Sequence, residues 1–239
     1  MREAIGAGLP SAGVGCAFSR EALGLIAGPG EAPFDAASLT EDYEIGLRLH
    51  ALGRRGAFVR LPAGSQGSAI ATREHFPWRW RDAVAQKSRW IVGIALSGWD
   101  RLGWSGGIAE RWMRLRDRQS LLAALLLVAA YFVMLAMPLT GFAAQLAGHE
   151  VTLVTPTLAL MMQIAALLLL WRLVMRFAFV ARSYGLREGL LAVPRVVVSN
   201  AITILAAREA LGRYGRARRT GEASWGKTAH IFPAHVPAE

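Results

Sequence analysis

The sequence predicts an α+β soluble piece followed by interfacial helices and transmembrane helices. Three observations carry this. Two long runs have no charged residue. A stretch rich in tryptophan and arginine precedes them. The first 65 residues alternate helix and strand signals between Gly- and Pro-containing loops.

The apolar runs come first because they dominate the composition. The chain has 239 residues, 54% of them hydrophobic, and a mean hydropathy of +0.33. Residues 119–148 contain no charge, and 121–137 are apolar throughout. Residues 151–171 are again uncharged. Each run covers the ~20 residues that a membrane-spanning helix needs. The predicted pair of transmembrane helices occupies 119–172. Arg101, Arg111, Arg114, Arg116 and Arg118 precede the pair, and Arg172, Arg176, Arg182 and Arg187 follow it. The connection over 139–150 has no Lys or Arg. Arginine distribution therefore predicts cytoplasmic flanks and termini, with a short loop outside.

The formal charge is +10. The arginines flank the spans, where topology and anionic lipid account for them. No nucleic-acid-binding motif occurs, so nucleic acid is not expected as a partner. Cys16 is the single cysteine, which excludes an internal disulfide and a cysteine metal site. The spans carry no Asp, Glu, Lys, Arg or His to mark a translocation path, which argues against a transporter.

Within residues 1–65, "SAGVGCAFSREAL" begins with small residues and glycines, then enters a short helix near Arg20. Its glycines do not fit a dinucleotide-binding pattern. "GPGEAPFD" is a loop. In "SLTEDYEIGLRLHALGRRG", Ser38 and Glu41 fit a capping box, with Thr40 as a rival cap. Ile45, Leu49 and Leu52 predict an apolar stripe, and Gly53 a C-terminal stop. "GAFVRLP" reads as a short strand closed by Pro62.

Residues 66–118 hold Trp78, Trp80, Trp90, Trp99, Trp104 and Trp112 among arginines. Such composition suits helices at the headgroup level. Within them, Gln86, Arg89 and Trp90 stand at i, i+3 and i+4, so a helix puts an amide, a forked cation and a flat ring on one face. Packing alone does not ask for this combination. Residues 173–239 read as interfacial helices and a polar cytoplasmic tail. Arg195 and Asn200 argue against a third span over 189–206.

Glu41 and Asp42 fall in the first turn of a predicted helix, whose positive end favours an ionised carboxylate. Such a group accepts a proton from an incoming hydroxyl. It is equally an ordinary helix-start acid. The combination is more specific. "TED" (Thr40, Glu41, Asp42), some forty residues before "QKSRW" (Gln86, Arg89, Trp90), with spans after it, resembles the processive family 2 membrane glycosyltransferases. "PSAGVGCAFSREAL", "TREHFP", "QKSRWIVGIALSGWDRLGW" and the late "GKTAH" resemble the phage-adsorption protein B type within them.

The resemblance implies that residues 1–65 are the acceptor-side part of a glycosyltransferase A-type, Rossmann-like domain in a bacterial inner membrane enzyme. It implies inverting transfer from a nucleotide-sugar donor to a growing cell-surface or exported polysaccharide. Asp42 would be the general base and Glu41 its neighbour in the acceptor pocket, beside the "GVGCAFSR" turn; Thr40 completes the motif. Arg89 would approach the donor diphosphate, Trp90 would carry the acceptor sugar, and Gln86 would orient it. A divalent Mg²⁺ or Mn²⁺ would hold the diphosphate in the complete enzyme. The family's early uracil-binding Asp and its D-x-D motif do not occur in this sequence. The expectation is a fragment or split product, with a separate chain supplying the donor-binding half. The alternative is a non-catalytic membrane subunit or remnant that lacks the donor site.

Overall fold

A computed structural model describes residues 1–11, 13–28, 32–35, 38–63, 68–70, 76–149 and 154–221. The chain divides into two compact units, Met1–Ala123 with Leu205–Glu239, and Ala124–Ile204.

In the first unit, helix α1 (Arg20–Ile26) starts where expected, with Ser19 Oγ accepting from the Ala22 N–H at 3.0 Å. Helix α2 (Glu41–Ala51) carries the "ED" acids in its first turn. The expected capping box does not form. Ser38 Oγ instead donates to Glu44 Oε1 at 2.7 Å, one turn further on, because Glu44 is buried and needs partners. Thr40 is the N-cap by position, but its side chain makes no capping bond. The C-terminus behaves as predicted. Gly53 has φ of 76° and donates to His50 O, while Arg54 N–H reaches back to Leu49 O, both at 2.9 Å.

The apolar stripe is displaced from its predicted positions. Ile45 and Leu47 are fully buried, whereas Leu52 lies beyond the helix and is exposed. Once Gly53 turns the chain, a side chain at Leu52 no longer faces the core.

The strand expected over 56–62 is present only at its end, Pro62; residues 56–61 carry no regular secondary structure, and Phe58, Val59 and Leu61 are exposed. Among the described residues the sheet consists of β1 (Pro62–Ala63) paired antiparallel with β2 (Ser68–Ala69). A strand needs neighbours to satisfy its backbone; among the described residues the pairing reaches back only to Leu61, whose carbonyl accepts from Ile70 N–H at 2.8 Å. The described chain is therefore mainly helical.

Helix α3 (Trp80–Ile91) carries the glutamine–arginine–tryptophan face and passes through a π-helical turn, Val92–Ser97, into α4 (Gly98–Leu102). Helix α5 (Ile108–Arg118) follows. Val84, Ile91, Val92, Ala95 and Met113 complete the core with α2. Two buried carboxylates tie the elements together. Glu110 on α5 accepts from Gly8 N–H at 2.8 Å and from Arg114 Nε at 3.1 Å. Glu44 on α2 accepts from Arg101 Nε on α4 at 2.9 Å.

Two of the tryptophans do more than mark an interface. Trp99 and Trp104 meet edge to face at 5.0 Å. The Arg118 guanidinium sits 4.8 and 4.6 Å from their ring centres and donates to Gly103 O at 2.7 Å. Burial lowers the pKa of Arg118. The ring faces supply part of the attraction that water would otherwise give.

Helix α6 (Ser120–Leu146) leads into the second unit, where α7 (Pro156–Tyr184) is the other long apolar helix. Both are long and apolar enough to cross a membrane, and almost nothing on them is buried within the protein. Outward Leu, Met and Phe side chains suit lipid. Helix α7 runs well past Trp171. At 1.5 Å per residue, 29 residues reach roughly 43 Å, so its last turns, with Arg176 and Arg182, extend beyond a ~30 Å hydrocarbon core. Pro156 opens the helix, and Thr155 Oγ1 accepts from Leu158 N–H at 3.3 Å.

Helices α8 (Leu186–Ala192) and α9 (Arg195–Thr220) meet at a 46° bend at Pro194. With the bent pair taken as one span, the described residues hold three segments long and apolar enough to cross a membrane. The two residues that argued against this are both partnered. Arg195 pairs with Glu188 at 2.9 Å, and Asn200 Nδ2 donates to Tyr131 Oη at 3.2 Å.

Candidate functional site

The two motifs are neighbours in space, and a glycine makes this possible. A Cβ at Gly93 would stand 2.5 Å from both Oγ1 and Cγ2 of Thr40. Thr40, first residue of "TED", thus packs directly on the helix that follows "QKSRW". Gln86, Arg89, Trp90 and Gly93 share one face by their i, i+3, i+4, i+7 spacing. The start of α2 is therefore seated at the end of that face.

The face runs from buried to open. Gln86 is 6% exposed, Arg89 is partly buried, and Trp90 is 39% exposed, with Phe76 edge-on to its ring at 6.2 Å. Three buried polar atoms in these motifs have no hydrogen-bond partner in the protein: Thr40 Oγ1, Ser88 Oγ and Arg89 Nε. Buried polar atoms are satisfied in the great majority of cases, so such a group marks a place where water or a ligand completes the bonding. Burial also lowers the pKa of Lys87, within the same motif.

Asp42 is partly buried. One carboxylate oxygen accepts its neighbour Tyr43's N–H at 2.8 Å. The other lies 2.8 Å from where a Cβ on Gly13 would stand. Gly13 has φ of 76°, so the "GVG" turn is held against the carboxylate by a residue without a side chain. Glu41, beside Asp42, occupies the first helical position. Tyr43 points the other way, donating to Asp117 at 2.6 Å; burial, and then this bond, raise its pKa. The predicted site residues thus fall on two adjoining elements. Sequence reasoning missed Gly93 and Ser88. A glycine inside a helical pattern, one turn past Trp90, was the available signal.

The family model described as glycosyl transferase family group 2 matches residues 1–184. This chain belongs to that family. Two curated relatives match over 98% of the chain. The bacteriophage adsorption protein B of Escherichia coli strain K12 is 34% identical over 264 residues. The bacteriophage N4 adsorption protein B of Escherichia coli O157:H7 shows the same identity and coverage. The chain spans about a third (34%) of the length of each relative. No solved structure matches.

Proposed function

We propose that this chain is the acceptor-side and membrane part of an inverting glycosyltransferase. It moves a sugar from a nucleotide-sugar donor to a growing cell-surface or exported polysaccharide. The contact of Thr40 with Gly93 carries this reading, because it unites an acid-bearing helix start with an arginine and a tryptophan on one neighbouring face. Asp42 takes the proton of the acceptor hydroxyl. The freed oxygen attacks the anomeric carbon, the bond to the diphosphate breaks, and the nucleoside diphosphate leaves with its electron pair. Arg89 offers a planar, forked cation to phosphate oxygens. Trp90 offers a half-open ring face to the acceptor sugar, and Gln86 and Glu41 orient it by hydrogen bonds.

Residues 1–65 would then be part of a Rossmann-like A-type domain. The exposed Phe58, Val59 and Leu61 side chains suit a strand whose neighbours lie in a donor-binding half supplied elsewhere. The family's donor diphosphate calls for Mg²⁺ or Mn²⁺. The described residues contain no group of three or more His, Cys, Asp or Glu able to hold a metal, and the sequence has no D-x-D. The residues present do not fit that ion, and no step above is routed through it. Arginine distribution supports an inner-membrane location with cytoplasmic termini. The relatives' names, which refer to bacteriophage adsorption, suit a role in building a surface structure.

The test is Asp42→Asn in membranes that also supply a D-x-D donor domain. Glycan synthesis should fall by about 10²-fold or more, the scale of losing a general base, while near-normal synthesis would remove Asp42 from the mechanism.

A further inference from the structure

Helices α3 and α9 of the first unit line a groove of mixed polar and apolar surface. Trp80 and Arg81 from the start of α3 face Arg208, Glu209, Gly212 and Arg216 of α9 across an open groove of about 670 Å³. By the helical repeat, Val84 lies on the side of α3 turned away from Gln86, Arg89 and Trp90, whereas Asp82 and Ala85 stand one turn before Gln86 and Arg89. None of the groove's lining residues is among the candidate transfer residues.

Its charges are unequal. Arg81, Arg208 and Arg216 line it, against Asp82 and Glu209. Glu209 is engaged by Arg213, which is not a lining residue, leaving Asp82 as the carboxylate without such a partner. Gly212 lines the groove from within α9. Its φ is not left-handed, and a Cβ there would meet nothing within 4 Å, so the groove is open at this point.

We propose that this groove binds a phosphate-bearing ligand. The three guanidinium groups would grip the phosphate oxygens as forked donors. Trp80, partly exposed at the rim, would cover the adjoining ring or alkyl portion. A free phosphate compound and an anionic lipid headgroup share this chemistry.

The experiment is calorimetric titration of the full chain in detergent with two probes, inorganic pyrophosphate and dihexanoylphosphatidylglycerol. Variants are Arg208→Gln/Arg216→Gln, Gly212→Leu to fill the floor, and Arg218→Gln/Arg219→Gln as a control of equal charge change. Helical content by circular dichroism accompanies each. The expected result is binding of at least one probe, weakened about tenfold or more in the groove variants and retained in the control. Pyrophosphate binding identifies a soluble ligand, and lipid binding alone identifies a headgroup. Should a groove variant fail to fold, ligand protection of Arg208 and Arg216 from phenylglyoxal in the intact chain gives the same answer. Binding of neither probe, equal loss in the control, or no loss and no protection at the groove would overturn the proposal.

Discussion

Gly93→Ala isolates the contact that joins the two motifs. The added Cβ would stand 2.5 Å from two atoms of Thr40 and 3.0 Å from its Cβ. Ordinary contact begins near 3.4 Å, so the overlap approaches 1 Å. Thr40 is 4% exposed and has no open side to swing toward. Overpacking of this kind costs about 1–3 kcal/mol. Alanine returns about 0.5–1 kcal/mol of helix preference. The net expectation is a loss of roughly 1–2 kcal/mol, or a few degrees in unfolding midpoint for a chain of this size. Thr40→Ala should cost less, because it removes a buried hydroxyl that has no partner along with its methyl group. The double variant should then recover most of the stability lost in Gly93→Ala, with a coupling of about 1 kcal/mol or more. Gly212→Ala, with open space around it, should raise the midpoint. The assay is thermal unfolding of the purified chain in detergent, followed through tryptophan circular dichroism. A neutral or stabilising Gly93→Ala, or no rescue by Thr40→Ala, would refute the reasoning.

Tyr43 gives a pH signature. Its folded-state pKa is raised above the ordinary 10.0 by burial and by its bond to Asp117. Its contribution to stability is therefore complete below pH 10 and declines as pH rises beyond it. Tyr43→Phe should flatten that decline, and an unchanged alkaline profile by denaturant titration would remove Tyr43 as its source. Reporter fusions at Glu239 should be active in the cytoplasm; activity confined to the periplasm would favour the bent α8–α9 pair as a third crossing.

Much of the architecture was legible because it follows from local rules. An apolar run of span length needs no tertiary information to be recognised. Gly53 announces a helix end through its own backbone chemistry. What was not legible depends on distant partners. Ser38 looked like a cap for Glu41, but Glu44 was to be buried and took its hydroxyl. Residues 56–61 carry strand-favouring side chains, Phe58 and Val59 among them, yet pairing depends on neighbours that composition does not reveal. The partners of Arg195 and Asn200, Glu188 and Tyr131, were likewise not visible in the sequence. The site was legible as residue types. That Thr40 rests on Gly93 was not, since nothing in either stretch states the other's position.

The most direct test of the account is a paired measurement of polymer synthesis and nucleotide-sugar binding, made in membranes supplying the donor domain. Asp42→Asn is nearly isosteric but does not accept the proton. It should bind donor as the parent does and lose about 10²-fold or more in synthesis. Trp90→Ala leaves that base in place and removes the ring platform, so it should lose long products while donor binding is kept. If Asp42→Asn synthesises polymer at a near-normal rate, or if the two variants lose donor binding and synthesis in equal measure, Asp42 and Trp90 do not divide the work of one transfer site as proposed.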